Sequence, residues 1–139
     1  MPTITVTRNR ERMNAHLAYK ILINDRQVEE LNVGEEVSLS VLPGDKLKIW
    51  INWSGSQEYT IPTSPQEQRI VCGGNLTYNT IGNAGGVLFL ALIVGTNLLV
   101  GSEVGKKIGL GLALAVMLLL LYMLTVGKSN WIRIRSLGV

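Results

Sequence analysis

The amino-acid sequence predicts an N-terminal all-β sandwich of immunoglobulin type, followed by two transmembrane α-helices in a hairpin. Three observations carry that prediction. Apolar and polar residues alternate with period 2 over residues 1–72, in short runs broken by turn residues, which suits about seven short antiparallel strands. Two uncharged apolar runs follow, at 84–100 and 108–126, with only Gly101-Ser102-Glu103-Val104-Gly105-Lys106-Lys107 between them. Charge also shifts along the chain: residues 1–80 hold eight Lys/Arg against nine Asp/Glu, a net of −1, whereas residues 81–139 hold five against one, a net of +4.

The first eight residues alternate like a strand, and the charged residues after them do not make the apolar core of a signal peptide. The N-terminal module is therefore expected to stay in the compartment where it is made. Leu17, Tyr19, Ile21 and Ile23 alternate and stop at Asn24-Asp25, whose side chains favour a turn. A strand from Gln27 to Leu31 follows. After Val33-Gly34-Glu35, Val37, Leu39 and Val41 alternate with Ser38 and Ser40, and Pro43-Gly44-Asp45 reverses the chain because Pro presets φ and Gly accepts a positive one. Leu47, Ile49, Ile51 and Trp53 then face one way, and Lys48, Trp50 and Asn52 the other. The last two strands run from Gln57 to Ile61 and from Glu67 to Cys72. The inward set is Ile4, Val6, Tyr19, Ile21, Ile23, Val28, Leu31, Val37, Leu39, Val41, Leu47, Ile49, Ile51, Trp53, Tyr59, Ile61, Ile70 and Cys72. It leaves Trp50 as the one large aromatic on the outer face.

The residues Tyr19-Lys20-Ile21-Leu22-Ile23-Asn24-Asp25, then Val28, then Leu42-Pro43-Gly44-Asp45-Lys46-Leu47-Lys48-Ile49 end one strand in an Asx turn and open a long strand from a Pro-Gly turn. In this the stretch from 17 to 62 resembles the PEGA-type small β-sandwich repeat. The resemblance implies a noncatalytic surface or envelope module attached to membrane proteins, and it brings no ligand residues with it.

Residues 73–83 read as an uncharged Gly/Asn-containing linker between the sandwich (1–72) and the hairpin (84–127). Runs of 17 and 19 residues make roughly 26 and 28 Å of helix, close to the hydrocarbon thickness of a bilayer. The helices are set at 84–100 and 103–127, with Gly101 ending the first and Ser102-Glu103 starting the second as N-cap and dipole partner. Small residues recur four apart at Ala91 and Gly95 and at Gly105, Gly109 and Ala113, a spacing that lets helix backbones approach in lipid, within one hairpin or between copies. Residues 128–139 read as a basic tail in which Trp131, Lys128, Arg133 and Arg135 sit at the membrane interface, as Lys106 and Lys107 do at the turn. Three tail cations against two in the turn place both termini in the cytoplasm of a two-pass integral membrane protein.

Composition excludes several classes of function. The soluble half is slightly acidic and lacks a Lys/Arg cluster, so nucleic acid is not an expected partner. Cys72 is the one cysteine and His16 the one histidine, which leaves no disulfide, no cysteine metal cage and no plausible triad. Glu29-Glu30 and Glu35-Glu36 face opposite ways along strands and form no carboxylate dyad. No metal, cofactor or catalytic residue is expected, and the chain is not expected to be an enzyme. The leading expectation is a membrane-anchored interaction module that touches lipid and binds a protein or peptide partner through Trp50, Lys48 and Asn52. The competing one is a small homo-oligomeric membrane effector or channel-like subunit, in which the hairpin is the active part.

Overall fold

Asn24 and Asp25 both take positive φ, 50° and 63°, the two-residue turn whose twist matches that of the strands it joins. They connect β2 (Tyr19–Ile23) to β3 (Arg26–Leu31) in a computed structural model that describes residues 3–12, 14–63, 68–98 and 101–137. The other strands are β1 (Thr3–Arg8), β4 (Glu36–Ser40), β5 (Lys46–Ile51), β6 (Ser54–Gly55), β7 (Tyr59–Thr60), β8 (Gln68–Gly74) and β9 (Ile132–Leu137). Two helices, α1 (Leu76–Leu98) and α2 (Glu103–Thr125), and a short 3-10 helix (Val126–Asn130) lie between β8 and β9. Residues 64–67, 99 and 100, which the sequence assigns to a turn, a strand start and the end of the first apolar run, lie outside the described residues.

The chain divides into two units. One is built from the residues up to Asn75 and from Lys128 onward; the other is Leu76–Gly127. In the first, the sheet β4-β1-β8-β9 and the sheet β3-β2-β5-β6, with β7 also on β5, share one apolar core. Ile4, Val6, Ile70, Cys72 and Ile132 from one sheet meet Tyr19, Ile21, Leu31, Leu47, Ile49 and Ile51 from the other. The all-antiparallel expectation is corrected at one ladder: β1 pairs β8 in parallel, because the whole second sheet serves as the long crossover that parallel neighbours need.

Three further expectations are corrected. The linker at 73–83 does not exist as such, since Gly73 and Gly74 continue the ladder to Arg133 and Ile132 and α1 begins at Leu76. The basic tail is a strand: Ile132 is buried and Ile134 packs on the core, while Arg133 and Arg135 alternate outward as period 2 requires. Trp53 and Val28 leave the core, being 48% and 46% exposed. Asn52, at φ 31°, turns the chain before Trp53 can continue the alternation of β5. Val28 lies on an edge strand whose register against β2 shifts between Ile21 and Leu22.

Burial sets a pH limit on this core. The Cys72 thiol is fully buried, and desolvation is the main cause that pushes it from 9.0 up to about 12. The Tyr19 phenol is raised for the same reason, and further by its hydrogen bond to the Glu11 carboxylate. Both folded values exceed the unfolded ones, so this stability is intact below about pH 9 and declines as pH rises through the folded values. Melting followed between about pH 8 and about pH 11 should show that decline. In Cys72→Val it should begin a unit higher, where tyrosine starts to ionise.

In the second unit, α1 and α2 each span 23 residues, about 35 Å of helix, and both are long and apolar enough to cross a membrane. Ser102 caps α2 as expected, its Oγ accepting from the Gly105 N–H at 3.1 Å.

Candidate functional site

The outer face of the second sheet carries an open groove of about 750 Å³. Its floor follows from strand register. Leu22 lies opposite Lys48, and Lys20 opposite Trp50, so Leu22, Lys48 and Trp50 project from the same face. Gly55 lies opposite Trp50 on the other side, and a Cβ there would run into the indole ring, so glycine at 55 is what lets the ring lie over the strand. The indole N–H donates to the Asn52 carbonyl at 3.3 Å. One wall is Ser56, Gln57 and Glu58; the other is Lys128 and Ser129 of the 3-10 helix. Gln57 Nε2 donates to Asn130 Oδ1 at 2.8 Å, which holds the two walls at a fixed spacing.

Charge is distributed unevenly along the groove. At one end Lys48 Nζ lies 2.7 Å from Asp25 and 3.3 Å from Glu58, and Lys46 lies 2.8 Å from Glu58. The Lys48 hydrogen bond is the main cause that holds the Asp25 carboxyl below its usual range, and the Lys46 hydrogen bond does the same for Glu58. The Lys48 ammonium is raised in turn, chiefly by Asp25. At the other end Lys128 Nζ stands 6.0 Å from the centre of the Trp50 ring, at the outer limit of a cation–π contact.

Two of the three expected binding residues, Trp50 and Lys48, line this groove; Asn52 does not, and contributes only its carbonyl. Lys128, expected at the membrane interface, joins them. Trp131 meets Trp53 edge-on, with ring centres 5.0 Å apart. Arg133 and Arg135 are exposed on the outer face of β9, and Lys106 pairs with Glu103 at 3.5 Å in the first turn of α2, with Lys107 exposed beside it. Asp25, Glu58, Gln57 and Ser129 were not legible as site residues, because strand register and the return of the chain through 128–130 bring them together.

A buried polar cluster lies elsewhere in the same unit. The Arg8 guanidinium donates to the carbonyls of Leu17 (2.6 Å), Leu31 (3.1 Å) and Asn14 (2.8 Å), pairs with Glu11 at 3.2 Å, and stacks on the Tyr19 ring at 3.6 Å. Glu11 accepts in turn from Tyr19 and from the Gly74 N–H. Apart from the buried Arg8 Nε, which has no hydrogen-bond partner among the described residues, the Arg8, Glu11 and Tyr19 side chains are engaged with their neighbours, which fits a clasp on the loop after β1.

Within the helical unit, a Cβ on Gly109 would strike the Thr96 methyl, one on Gly85 would lie 3.0 Å from Leu120, and one on Gly127 would lie 3.1 Å from Tyr78. Gly85 and Tyr78 stand 11 and 18 residues before Thr96, and Leu120 and Gly127 stand 11 and 18 after Gly109. Those separations are close to three and five whole turns, so one straight antiparallel seam contains all three contacts. Gly109 and Ala113 of the expected packing set are buried in α2 and Gly105 is half-buried. Ala91 is exposed, and no described residue outside the local backbone comes within 4 Å of a Cβ placed on Gly95. The polar pair in α1 is satisfied by its own helix: Thr96 donates to Leu92 O and Asn97 to Ile93 O, each at 2.7 Å.

Among the described residues no group of three or more His, Cys, Asp or Glu could hold a metal ion. No family model, no curated protein and no solved structure matches the chain.

Proposed function

We propose that this chain is a noncatalytic, two-pass membrane-anchored module: the helical hairpin holds the two-sheet unit at a bilayer, and that unit presents the groove beside Trp50 as a binding face. The observation that carries this reading is the β8–β9 ladder. The two strands are hydrogen-bonded neighbours from Arg69↔Leu137 to Gly74↔Ile132, yet both apolar helices lie between them in sequence. If α1 crosses a membrane, α2 must cross back. Trp131, which meets Trp53 edge-on, follows the end of α2 in the sequence by six residues, a position along the chain that interfacial aromatics favour. The PEGA-type resemblance, with its noncatalytic envelope modules, is in keeping with this.

Membrane fractionation tests the anchor. The protein should stay in the pellet after alkaline carbonate washing, and tags at both ends should be cleaved from the cytoplasmic side of sealed vesicles and from that side only. Release into the wash, or cleavage of the two tags from opposite sides, would overturn the reading.

The oligomeric alternative draws its support from the open flank of α1 at Ala91 and Gly95. In that case Gly95→Leu should break up an oligomer in mild detergent while leaving the hairpin intact. Gly109→Leu, which thrusts a side chain into Thr96, should instead lower the melting temperature of the helical unit whatever the oligomeric state. A strictly monomeric wild-type chain removes the alternative.

A further inference from the structure

The four charged residues lining the groove, Asp25, Glu58, Lys48 and Lys128, sum to zero, yet they are separated along it. Lys128 and Ser129 stand at the Trp50 end. Asp25 and Glu58 stand beyond Lys48, two strand residues or roughly 7 Å further on. A simple anion entering here meets Asp25 and Glu58, and a simple cation meets Lys48 and Lys128. A zwitterion meets both ends favourably: its negative group lies between Lys128 and Lys48, and its ammonium takes the place of Lys48 at Asp25. The half-buried Ser129 borders the same end of the groove, whereas the Ser56 hydroxyl is buried and already accepts from the Ile49 N–H at 2.9 Å.

Position along the chain indicates where such a ligand comes from. Lys128 follows Thr125, the last residue of α2, by three residues, which reach about 10 Å at full extension. If α2 crosses the bilayer, the cationic end of the groove is confined to the headgroup layer. We therefore propose that the groove binds a phospholipid headgroup in which a phosphate is joined to an ammonium, with the phosphate at Lys128 and the ammonium at Asp25 and Glu58. This rests on the membrane-anchored reading.

The test uses the full chain in mild detergent, titrated with short-chain phosphatidylethanolamine or phosphatidylglycerol and followed by native mass spectrometry. The wild type should bind the ethanolamine lipid about tenfold more tightly, the worth of one charged hydrogen bond. Asp25→Asn should erase that preference. Lys128→Gln should weaken both lipids, and Arg12→Gln, an equal change of charge on the exposed loop after β1, should alter neither. Equal affinity of the wild type for the two lipids, or no effect of Asp25→Asn, would overturn the proposal. So would free phosphoethanolamine binding as tightly as the lipid, since the ligand would then be a soluble molecule. Carbonate washing of the same membranes separates the two levels: a pelleted chain without headgroup preference defeats this inference alone, and a released chain defeats the anchor reading on which it stands.

Discussion

Ending the chain after Asn130 is expected to unfold the two-sheet unit while leaving the helices intact. The deletion removes Ile132, 2% exposed in the core, and exposing such a side chain costs about 1.5–3 kcal/mol. It also removes Ile134 from the edge of that core and strips β8 of its ladder from Arg69 to Gly74. Each lost ladder bond costs about 1 kcal/mol, against about 5–15 kcal/mol of total stability for a domain of this size. The bare β8 edge would also be open to aggregation. Limited proteolysis in membranes measures this: the truncated protein should lose its resistant N-terminal fragment, and a chain ending after Leu137 should keep it. Full resistance of the truncated protein would mean that β9 merely decorates the sheet.

Arg8→Leu should be nearly as damaging, at about 3–5 kcal/mol, because it leaves the Glu11 carboxylate without its cationic partner and three carbonyls without the guanidinium that donates to them. For a unit of this size that lowers the melting temperature by roughly 15 °C or more. Arg8→Lys should rescue little, since one ammonium cannot reach Leu17, Leu31 and Asn14 together. Adding Glu11→Leu to Arg8→Leu should recover part of the loss by removing the stranded carboxylate. Thermal unfolding of the three variants gives the comparison, and a double variant no more stable than Arg8→Leu would shift the explanation from charge to packing on Tyr19.

Alternation and turn chemistry made the strands through β5 readable, and an absence of charge over two long runs made the helices readable. The misses have physical causes. Ile132-Arg133-Ile134-Arg135 is as regular an alternation as any in the N-terminal half, but its charges also suit a membrane interface, and nothing local chooses between the two. Arg8 occupies the inward phase set by Ile4 and Val6; the position was visible, while the carbonyls that make an arginine tolerable there depend on how the following loop folds back through Asn14 and Leu17 and on where β3 ends at Leu31. Gly73 to Asn83 have weak local preferences that β9 and the helix seam override. In the groove, Trp50 and Lys48 followed from their phase on one strand, whereas Asp25, Glu58 and Lys128 depend on three separate returns of the chain.

The β8–β9 pairing also imposes an order on biosynthesis. The 57 residues from 75 to 131 separate the two strands, so β9 leaves the ribosome only after both helices have been made. Until then Ile132 is missing from the core and β8 is an open template for other strands. In a bilayer the sheet can close only on a hairpin that has turned back. On the membrane-anchored reading, closure of the last ladder would report correct topology, and a chain whose second helix failed to return would display an unfinished sheet to the proteases that remove misassembled membrane proteins.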